Sequence, residues 1–293
     1  MAKPRPALFR RRHFEDHVIV LCVRWYLRYC LTLRDLEELM MERSLALDHS
    51  TIGRWVLRHG PELHKRIRRE IRTPNRSWRV DETYMRVAGV WTYLYRAVDS
   101  AGETIDFMLS PRRDVVAAKH FLQMALWRSG QVRPCVINVD GNASYPPAIA
   151  ELKESGALPR RCRCRPSPYL NNILEQDHRF ARKRIAASLW FRSVDGALRT
   201  IAGDEAMNMI RKGQARWLAK SDVVRQVRFI ERVFGSLRSL RIRRECEAPS
   251  IPVYLRQNRP SRNSLGSSYR AKRVPCLYWL WNGRRGLPRT DGR

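Results

Sequence analysis

The chain has 293 residues, of which 44% are hydrophobic, so it can bury a core that suits one large domain or two smaller ones. Its 57 Lys and Arg residues outnumber its 28 Asp and Glu residues, and the net charge of +29 indicates a polyanionic partner, most commonly nucleic acid. No apolar run approaches the roughly 20 residues of a membrane-spanning helix, and the seven cysteines form no CxxC pair, so we expect a cytoplasmic protein with free thiols and no membrane partner.

The N-terminal part of the sequence is basic and helical. Residues 1–16 form a basic tail that lacks the apolar segment of a signal peptide, and residues 17–66 have the periodicity of three helices. Thr32 is placed to cap the second helix, with Asp35 completing a loose capping box. A short turn separates the second helix from the third, which is typical of a helix-turn-helix domain. A basic stretch over residues 64–77 then predicts a linker.

The third predicted helix carries the side chains that we expect to contact DNA. Asp48 or Ser50 caps its beginning. Thr51, Arg54 and Arg58 lie away from its apolar face and would point towards a DNA groove. The apolar face consists of Ile52, Trp55, Val56 and His59. The alternative is an ordinary three-helix packing unit with solvated arginines, and the positive charge of the chain favours DNA binding over it.

Residues 75–218 predict a second, α/β domain. Stretches rich in β-branched and aromatic residues, separated by tight turns, predict three antiparallel strands, and a fourth apolar strand follows the next helix. Asp99 precedes Ser-Ala-Gly and is predicted to form a turn. This order of elements is typical of a sheet with helices on its faces. The predicted strands are 78–87, 90–99, 104–110 and 135–140, and the predicted helices are 114–129, 145–155 and 193–212.

Two acidic residues accompany apolar strands of this domain. Asp81 lies in the first strand, and Asp140 directly follows the fourth. A buried carboxylate costs free energy, and two of them on adjacent strands repel each other unless a cation lies between them. Magnesium suits such a site because it takes oxygen ligands and often bridges carboxylates to phosphate. Taken singly, a strand-end Asp is more often a turn residue than a metal ligand, so the prediction depends on the pair.

A third acidic residue, Glu175, lies on a later predicted helix, with 34 residues between it and Asp140. Arg179 and Arg182 follow at i+4 and i+7, on the same side of that helix, where they would meet the DNA backbone. Three carboxylates that hold two divalent ions can activate a water or sugar hydroxyl and stabilise the departing oxygen of an in-line displacement. By itself Glu175 would be an ordinary surface glutamate.

Three segments of the sequence resemble the DDE transposases of bacterial insertion sequences, most closely those of the insertion sequence six family. These segments are "WRVDETYMRVAGVWTYLYRAVDSAGETIDFMLS", "VINVDGNASYPPAIAELK" and "NNILEQDHRFARKR". The resemblance extends over about residues 13–235, and its most specific feature is the D…D-34-E spacing with Arg182 seven residues after the glutamate. It implies an α/β, RNase H-like fold, in which a mixed sheet with flanking helices follows the all-α helix-turn-helix domain.

The resemblance also implies an activity and a site. Asp81, Asp140 and Glu175 would form a catalytic triad that binds two Mg²⁺ or Mn²⁺ ions. The enzyme would nick the terminal inverted repeats of its element and join the freed 3′ hydroxyl to target DNA, with a replicative cointegrate as the product. It would act on paired DNA ends as a homo-oligomer, at least a dimer. Further residues expected to contact DNA are Asn171, Asn172, Arg179, Arg182 and Lys183.

Two other functions fit parts of the sequence. A helix-turn-helix transcriptional regulator accounts for residues 17–66 but not for the three acids together. An RNase H-like nuclease without transposition accounts for the acids but not for the attached helix-turn-helix domain. Residues 236–293 depart from the family pattern, because they are basic and aperiodic, and we expect them to be disordered. A frameshift into neighbouring sequence is one origin of such a tail.

Overall fold

The computed structural model describes residues 6–10, 13–166 and 191–235. Across these ranges, no helix combines the length and the apolar character needed to span a membrane. Several predictions concern residues outside the described ranges and stay predictions. They are the tail 236–293 and the roles of Asn171, Asn172, Glu175, Arg179, Arg182 and Lys183.

Three helices form the N-terminal part of the described chain: α1 (Asp16–Arg28), α2 (Leu33–Met41) and α3 (His49–Ile67). The predicted capping box is confirmed, because the Thr32 hydroxyl accepts a hydrogen bond from the Asp35 amide at 3.1 Å and the Asp35 carboxylate accepts one from the Thr32 amide at 2.8 Å. At α3 the cap is Asp48, whose carboxylate accepts from the Ser50 amide at 2.8 Å. Both caps satisfy amides that the helix itself leaves unpaired.

The third helix is longer than predicted. We expected a linker over residues 64–77, but its first four residues continue α3 to Ile67. Leu63 and Ile67 are fully buried, so the apolar face of the helix extends beyond Pro61. Packing of this face outweighs the one backbone hydrogen bond that the proline cannot donate.

A five-stranded mixed sheet forms the centre of the second part. Its order is β3-β2-β1-β4-β5, with β1 to β3 antiparallel and with β4 parallel to both β1 and β5. The strands are β1 (Ser77–Val87), β2 (Val90–Asp99), β3 (Thr104–Ser110), β4 (Val136–Val139) and β5 (Arg163–Pro166). The turn predicted at Asp99 is confirmed, because its carboxylate accepts hydrogen bonds from the amides of Ala101 and Glu103, both at 2.9 Å.

Four further helices complete the described fold: α4 (Val115–Arg128), α5 (Tyr145–Glu154), α6 (Val194–Arg211) and α7 (Val223–Phe234). Helices α4 and α5 cover one face of the sheet, and α6 contributes Ala197 and Ile201 to a core on the other face. A three-strand antiparallel meander extended by two parallel strands, with helices on the faces, is the predicted RNase H-like fold.

Helix α7 was not predicted from the sequence. Its Asp222 cap accepts a hydrogen bond from the Arg225 amide at 2.9 Å, and Gly235 ends it with a left-handed φ of 72°. Phe229 and Ile230 pack into the core formed by α1, α2, α3 and α6. Phe9, from the segment expected to be a basic tail, is also fully buried there.

Candidate active site

The register of two parallel strands brings Asp81 and Asp140 together. Val80 of β1 pairs with Val139 of β4, and both valines are fully buried in the core beneath α4 and α5. Each aspartate follows one of these valines by one residue. This register places the two aspartates side by side, and an oxygen of each lies within 4.8 Å of the other. The predicted pairing of these two acids is therefore what the strand register produces.

A third carboxylate, Glu82, joins this pair. One oxygen from each of Asp81, Glu82 and Asp140 lies within 4.8 Å of the others. The side chain of Glu82 is only 1% exposed, and it accepts hydrogen bonds from the Asn142 amide nitrogen Nδ2 at 3.0 Å and from Arg113 at 3.2 Å. Glu82 was missed in the sequence, although the argument applied to Asp81, a carboxylate inside an apolar strand, applies to it equally.

The turn after β4 holds Asp140 in place. The Asp140 carboxylate accepts a hydrogen bond from the Asn142 amide at 3.1 Å, and the Asn142 side-chain oxygen accepts one from the Ser144 amide at 3.0 Å. Between them Gly141 has a φ of 98°, which side-chain-bearing residues rarely adopt. The sequence "DGNAS" thus forms two successive Asx turns that lead into α5. Asn142 connects this turn to Glu82.

The three acids experience strong mutual repulsion. Burial, followed by the negative charges of Asp140 and Glu82, raises the pKa of Asp81 to about 7, although a hydrogen bond from the Glu82 amide lowers it in part. Burial is also the main cause that raises the pKa of Glu82, with the charge of Asp140 adding to it. The negative charge of the three carboxylates therefore destabilises the site unless a cation lies close to them.

Arg113 is the cation that faces this cluster. Its guanidinium lies 3.2 Å from Glu82 and 3.5 Å from Asp140, and its side chain is 43% exposed. Burial disfavours the charged guanidinium, but the attraction of Glu82 and Asp140 outweighs burial and raises the pKa of Arg113. Arg113 thus neutralises part of the cluster while keeping contact with solvent. No pattern in the sequence predicted that Arg113 would contact this acidic cluster.

The donor set fits a divalent cation. It consists of carboxylate oxygens, which Mg²⁺ and Mn²⁺ prefer. Burial is the main cause of the raised pKa of Asp81, and a bound cation would relieve the repulsion by Asp140 and Glu82 that adds to it. Another acidic group, Glu37, Asp48 and His49, lies at the start of α3. There Asp48 caps the helix and His49 contacts Glu37 at 3.1 Å, so local structure accounts for that group.

The candidate DNA-reading side chains lie where the sequence placed them. Arg54 and Arg58 are exposed on α3, and Thr51 accepts a hydrogen bond from Arg54 at 2.8 Å. The opposite face of the helix is buried, as predicted, and comprises Ile52, Trp55, Val56 and His59. The predicted division of α3 into a buried apolar face and an exposed face with Arg54 and Arg58 is confirmed. Contact of this exposed face with DNA stays a prediction.

Comparisons with known proteins give this site a context. The family described as a DDE domain matches residues 75–214. The transposases for insertion sequence-like element IS431mec of Staphylococcus aureus strains Mu50 and N315 are 35% identical to this chain over 210 residues, which is 72% of this chain and 91% of theirs. The transposase for insertion sequence element IS257 in transposon Tn4003, also from Staphylococcus aureus, matches with the same identity and coverage.

One solved structure that matches part of the chain is the simian T-cell lymphotropic virus intasome in complex with PP2A regulatory subunit B56 gamma. It has a TM-score of 0.37 and 21% identity, covering 48% of this chain and 51% of that one. The DDE domain and the long match to the staphylococcal transposases decide the family. The chain belongs to the insertion sequence six family of DDE transposases, polynucleotidyl transferases that move DNA with the help of divalent metal ions.

Proposed function

We propose that the protein binds the terminal inverted repeats of its own insertion sequence, cleaves a strand there and joins the freed 3′ end to target DNA. Asp81, Asp140 and Glu175 are the proposed catalytic and metal-binding residues. The observation that carries the proposal is the parallel register of β1 and β4, which brings Asp81 and Asp140 side by side, with Arg113 3.5 Å from Asp140.

The described residues have distinct roles in this proposal. Asp81 and Asp140 would hold the cations through their carboxylate oxygens. Two Mg²⁺ or Mn²⁺ ions would supply Lewis acidity for the attacking oxygen and charge stabilisation for the leaving one. Glu82 positions the site, because it holds Arg113 on one side and the Asn142 turn on the other. Before DNA binds, Arg113 reduces the repulsion among the carboxylates and so stabilises the folded site.

Recognition and chemistry are divided along the chain. Residues 17–66 read the repeat ends through Thr51, Arg54 and Arg58 of α3, and residues 75–218 carry out strand transfer. Asn171, Asn172, Arg179, Arg182 and Lys183 hold DNA beside Glu175. Two ends must meet in one complex, so the active species is a homo-oligomer, at least a dimer, and the product is a replicative cointegrate. The family membership supports these steps by analogy with its other members.

Cleavage of a labelled repeat end in Mg²⁺ tests the chemical part. Asp81→Asn should lose at least about a hundredfold in cleavage rate, because a neutral amide binds a divalent cation poorly. Asp195→Asn is the matched control, since this exposed aspartate of α6 has Arg199 as its ion-pair partner among the described residues. Cleavage by Asp81→Asn at the rate of the wild type would contradict the assignment of Asp81, Asp140 and Glu175 as the catalytic residues.

Binding to the repeat end tests the recognition part. Arg54→Ala/Arg58→Ala should bind a repeat duplex no better than a scrambled duplex of the same composition. Arg216→Ala/Arg228→Ala removes the same charge from exposed positions outside α1–α3 and should keep the preference for the repeat. If the Arg54→Ala/Arg58→Ala protein still prefers the repeat, α3 is not the reading helix. A regulator would bind the repeat but never cleave it, and a nuclease would cleave without joining.

A further inference from the structure

A basic groove lies at the far end of β4 from the proposed active site. It has a volume of about 770 Å³, and none of the described residues that line it is acidic. Pro134, Cys135, Val136 and the start of β5 are among these lining residues. Its lining includes five arginines, namely Arg76, Arg160, Arg161, Arg163 and Arg165. We call this feature the arginine groove.

The charges of the arginine groove are not compensated by the protein. All five side chains are exposed, and within the described ranges none of them forms an ion pair. Arg76 donates one hydrogen bond, from Nε to the carbonyl of Arg133 at 3.0 Å, which leaves its terminal nitrogens available. Five unpaired guanidinium groups repel one another, so their clustering costs stability unless an anion binds between them.

Strand register connects the groove to the proposed active site. Arg163 pairs with Val136 and Arg165 pairs with Asn138 across β4 and β5. Asn138 lies in β4, and Asp140 follows the last residue of that strand. Because paired residues of neighbouring strands share a face, Arg163 and Arg165 lie on the same sheet face as Asn138, two residues before Asp140.

On that part of the sheet face Asn138 is buried, whereas Arg163 and Arg165 are exposed. The core beneath α6 is built from β1, β2 and β3, and in the described chain β4 and β5 contribute no residue to it. From Cys135 at the groove to Asp140 the strand rises roughly 16 Å, at about 3.3 Å per residue. A duplex with a rise of about 3.4 Å per base pair spans that distance in about five base pairs.

We propose that the arginine groove binds the phosphate backbone of duplex DNA about five base pairs from the phosphate that reacts at Asp81 and Asp140. The contact is independent of base sequence, because guanidinium groups on an open sheet edge recognise phosphate charge and geometry. The proposal rests on the proposed function for the position of the reacting phosphate, but the phosphate contact itself can be measured without catalysis.

The experiment measures the affinity of the full chain for a duplex of unrelated sequence over a range of salt concentrations. Each phosphate contact that is lost lowers the slope of log K against log salt by about 0.9. Arg160→Gln/Arg163→Gln/Arg165→Gln should therefore lower the slope by about 2 to 3. The matched control is Arg69→Gln/Arg216→Gln/Arg228→Gln, which removes three exposed arginines without an ion pair among the described residues and should change the slope by less than about 1.

The outcomes separate the possible roles of the groove. An unchanged slope in the groove variant, or an equal fall in the control, overturns the proposal. Aggregation of the groove variant with an unchanged slope would show that the arginines only protect the β5 edge from pairing with other chains.

Asp140→Asn keeps the test independent of the proposed function. It should retain the slope of the wild type while losing cleavage. Normal cleavage by Asp140→Asn together with a reduced slope in the groove variant would contradict the proposed function. It would still support binding of the DNA backbone by the arginine groove.

Discussion

At the scale of single residues, the described part of the site is a cluster of three carboxylates with Arg113 beside it. Burial is the main cause that raises the pKa of Asp81 to about 7, and repulsion by Asp140 and Glu82 adds to it. Arg113 offsets part of this repulsion from the solvent side. Without a bound metal ion, the negative charge of the site is only partly neutralised. The free energy of unfolding should therefore depend on pH, and a bound metal ion should reduce this dependence.

The first prediction concerns that pH dependence in the presence of a chelator. Folded Asp81 keeps its proton up to about pH 7, whereas in the unfolded chain an aspartate releases it near pH 4. Between these values the folded state binds more protons, so the free energy of unfolding should fall as pH rises from 4 to 7 and level off above. The fall due to Asp81 should be on the order of 4 kcal/mol.

Urea titrations at several pH values measure this effect. The Asp81→Asn protein should lack this part of the fall, and adding Mg²⁺ at pH 7.5 should stabilise the wild type but not the variant. An identical pH profile in the wild type and Asp81→Asn would show that Asp81 titrates as an ordinary aspartate.

Arg113 gives a second prediction at this scale. Arg113→Gln leaves the nearly unexposed Glu82 without its cation, so the metal-free protein should lose about 1 kcal/mol of stability at pH 7.5 after allowance for the half-exposed guanidinium. The neighbouring Arg112→Gln is the control. Among the described residues, the hydrogen bonds of Arg112 involve its backbone amide and carbonyl and not its side chain. Equal stabilities of the two variants in urea would mean that Arg113 does not neutralise the cluster.

At the scale of elements, two helices from different parts of the chain cross at glycines. A methyl group at Gly60 of α3 would lie 3.0 Å from the carbonyl oxygen of Arg199 and 3.3 Å from the Cα of Gly203, both in α6. These are backbone atoms and cannot move aside without shifting a helix. The crossing joins the proposed DNA-reading helix to the helix that covers the sheet.

Gly60→Ala should therefore destabilise the protein by about 1 to 3 kcal/mol, despite the better helix propensity of alanine. Gly53→Ala on the same helix meets only the tip of the Leu33 side chain, at 3.1 Å, and should be neutral or stabilising. Thermal or urea unfolding of the two variants provides the comparison. A Gly60→Ala protein as stable as Gly53→Ala would show that the helices can separate at little cost.

Elements with strong local signals were predictable from the sequence. The capping box at Thr32, the strands of the meander and the turn at Asp99 depend on neighbours within a few residues. Helix α7 was missed although its apolar residues recur at helical spacing between the Asp222 cap and Gly235, so a local signal for it was present. Arg113 was missed because it contacts Glu82 across 31 residues of chain.

At the scale of the whole molecule, buried ion pairs connect the helical part to the sheet. Asp106 of β3 is fully buried and contacts Arg68, just after α3, at 3.1 Å and Arg128 of α4 at 2.9 Å. Burial raises the pKa of Asp106 even though both arginines lower it. The sequence showed no partner for Asp106, because both partners come from elements outside its strand.

Asp106→Ala should cost about 3 kcal/mol, since it leaves two arginines facing each other in a buried site. Glu103→Ala, which breaks a pair with the half-exposed Arg72, should cost no more than about 1 kcal/mol. Urea unfolding followed by circular dichroism compares them. Similar losses for both variants would show that the Asp106 cluster does not join the two parts.

The measurement that tests the central claim most directly is strand joining by the full-length protein. A labelled repeat end is incubated with a second duplex in Mg²⁺, and the joined product is quantified for the wild type, Asp140→Asn and the Asp195→Asn control. The wild type and the control should join the strands, and Asp140→Asn should bind the repeat with unchanged affinity yet give no product. Joined product from Asp140→Asn at the level of the wild type would contradict the assignment of Asp81 and Asp140 as the catalytic pair.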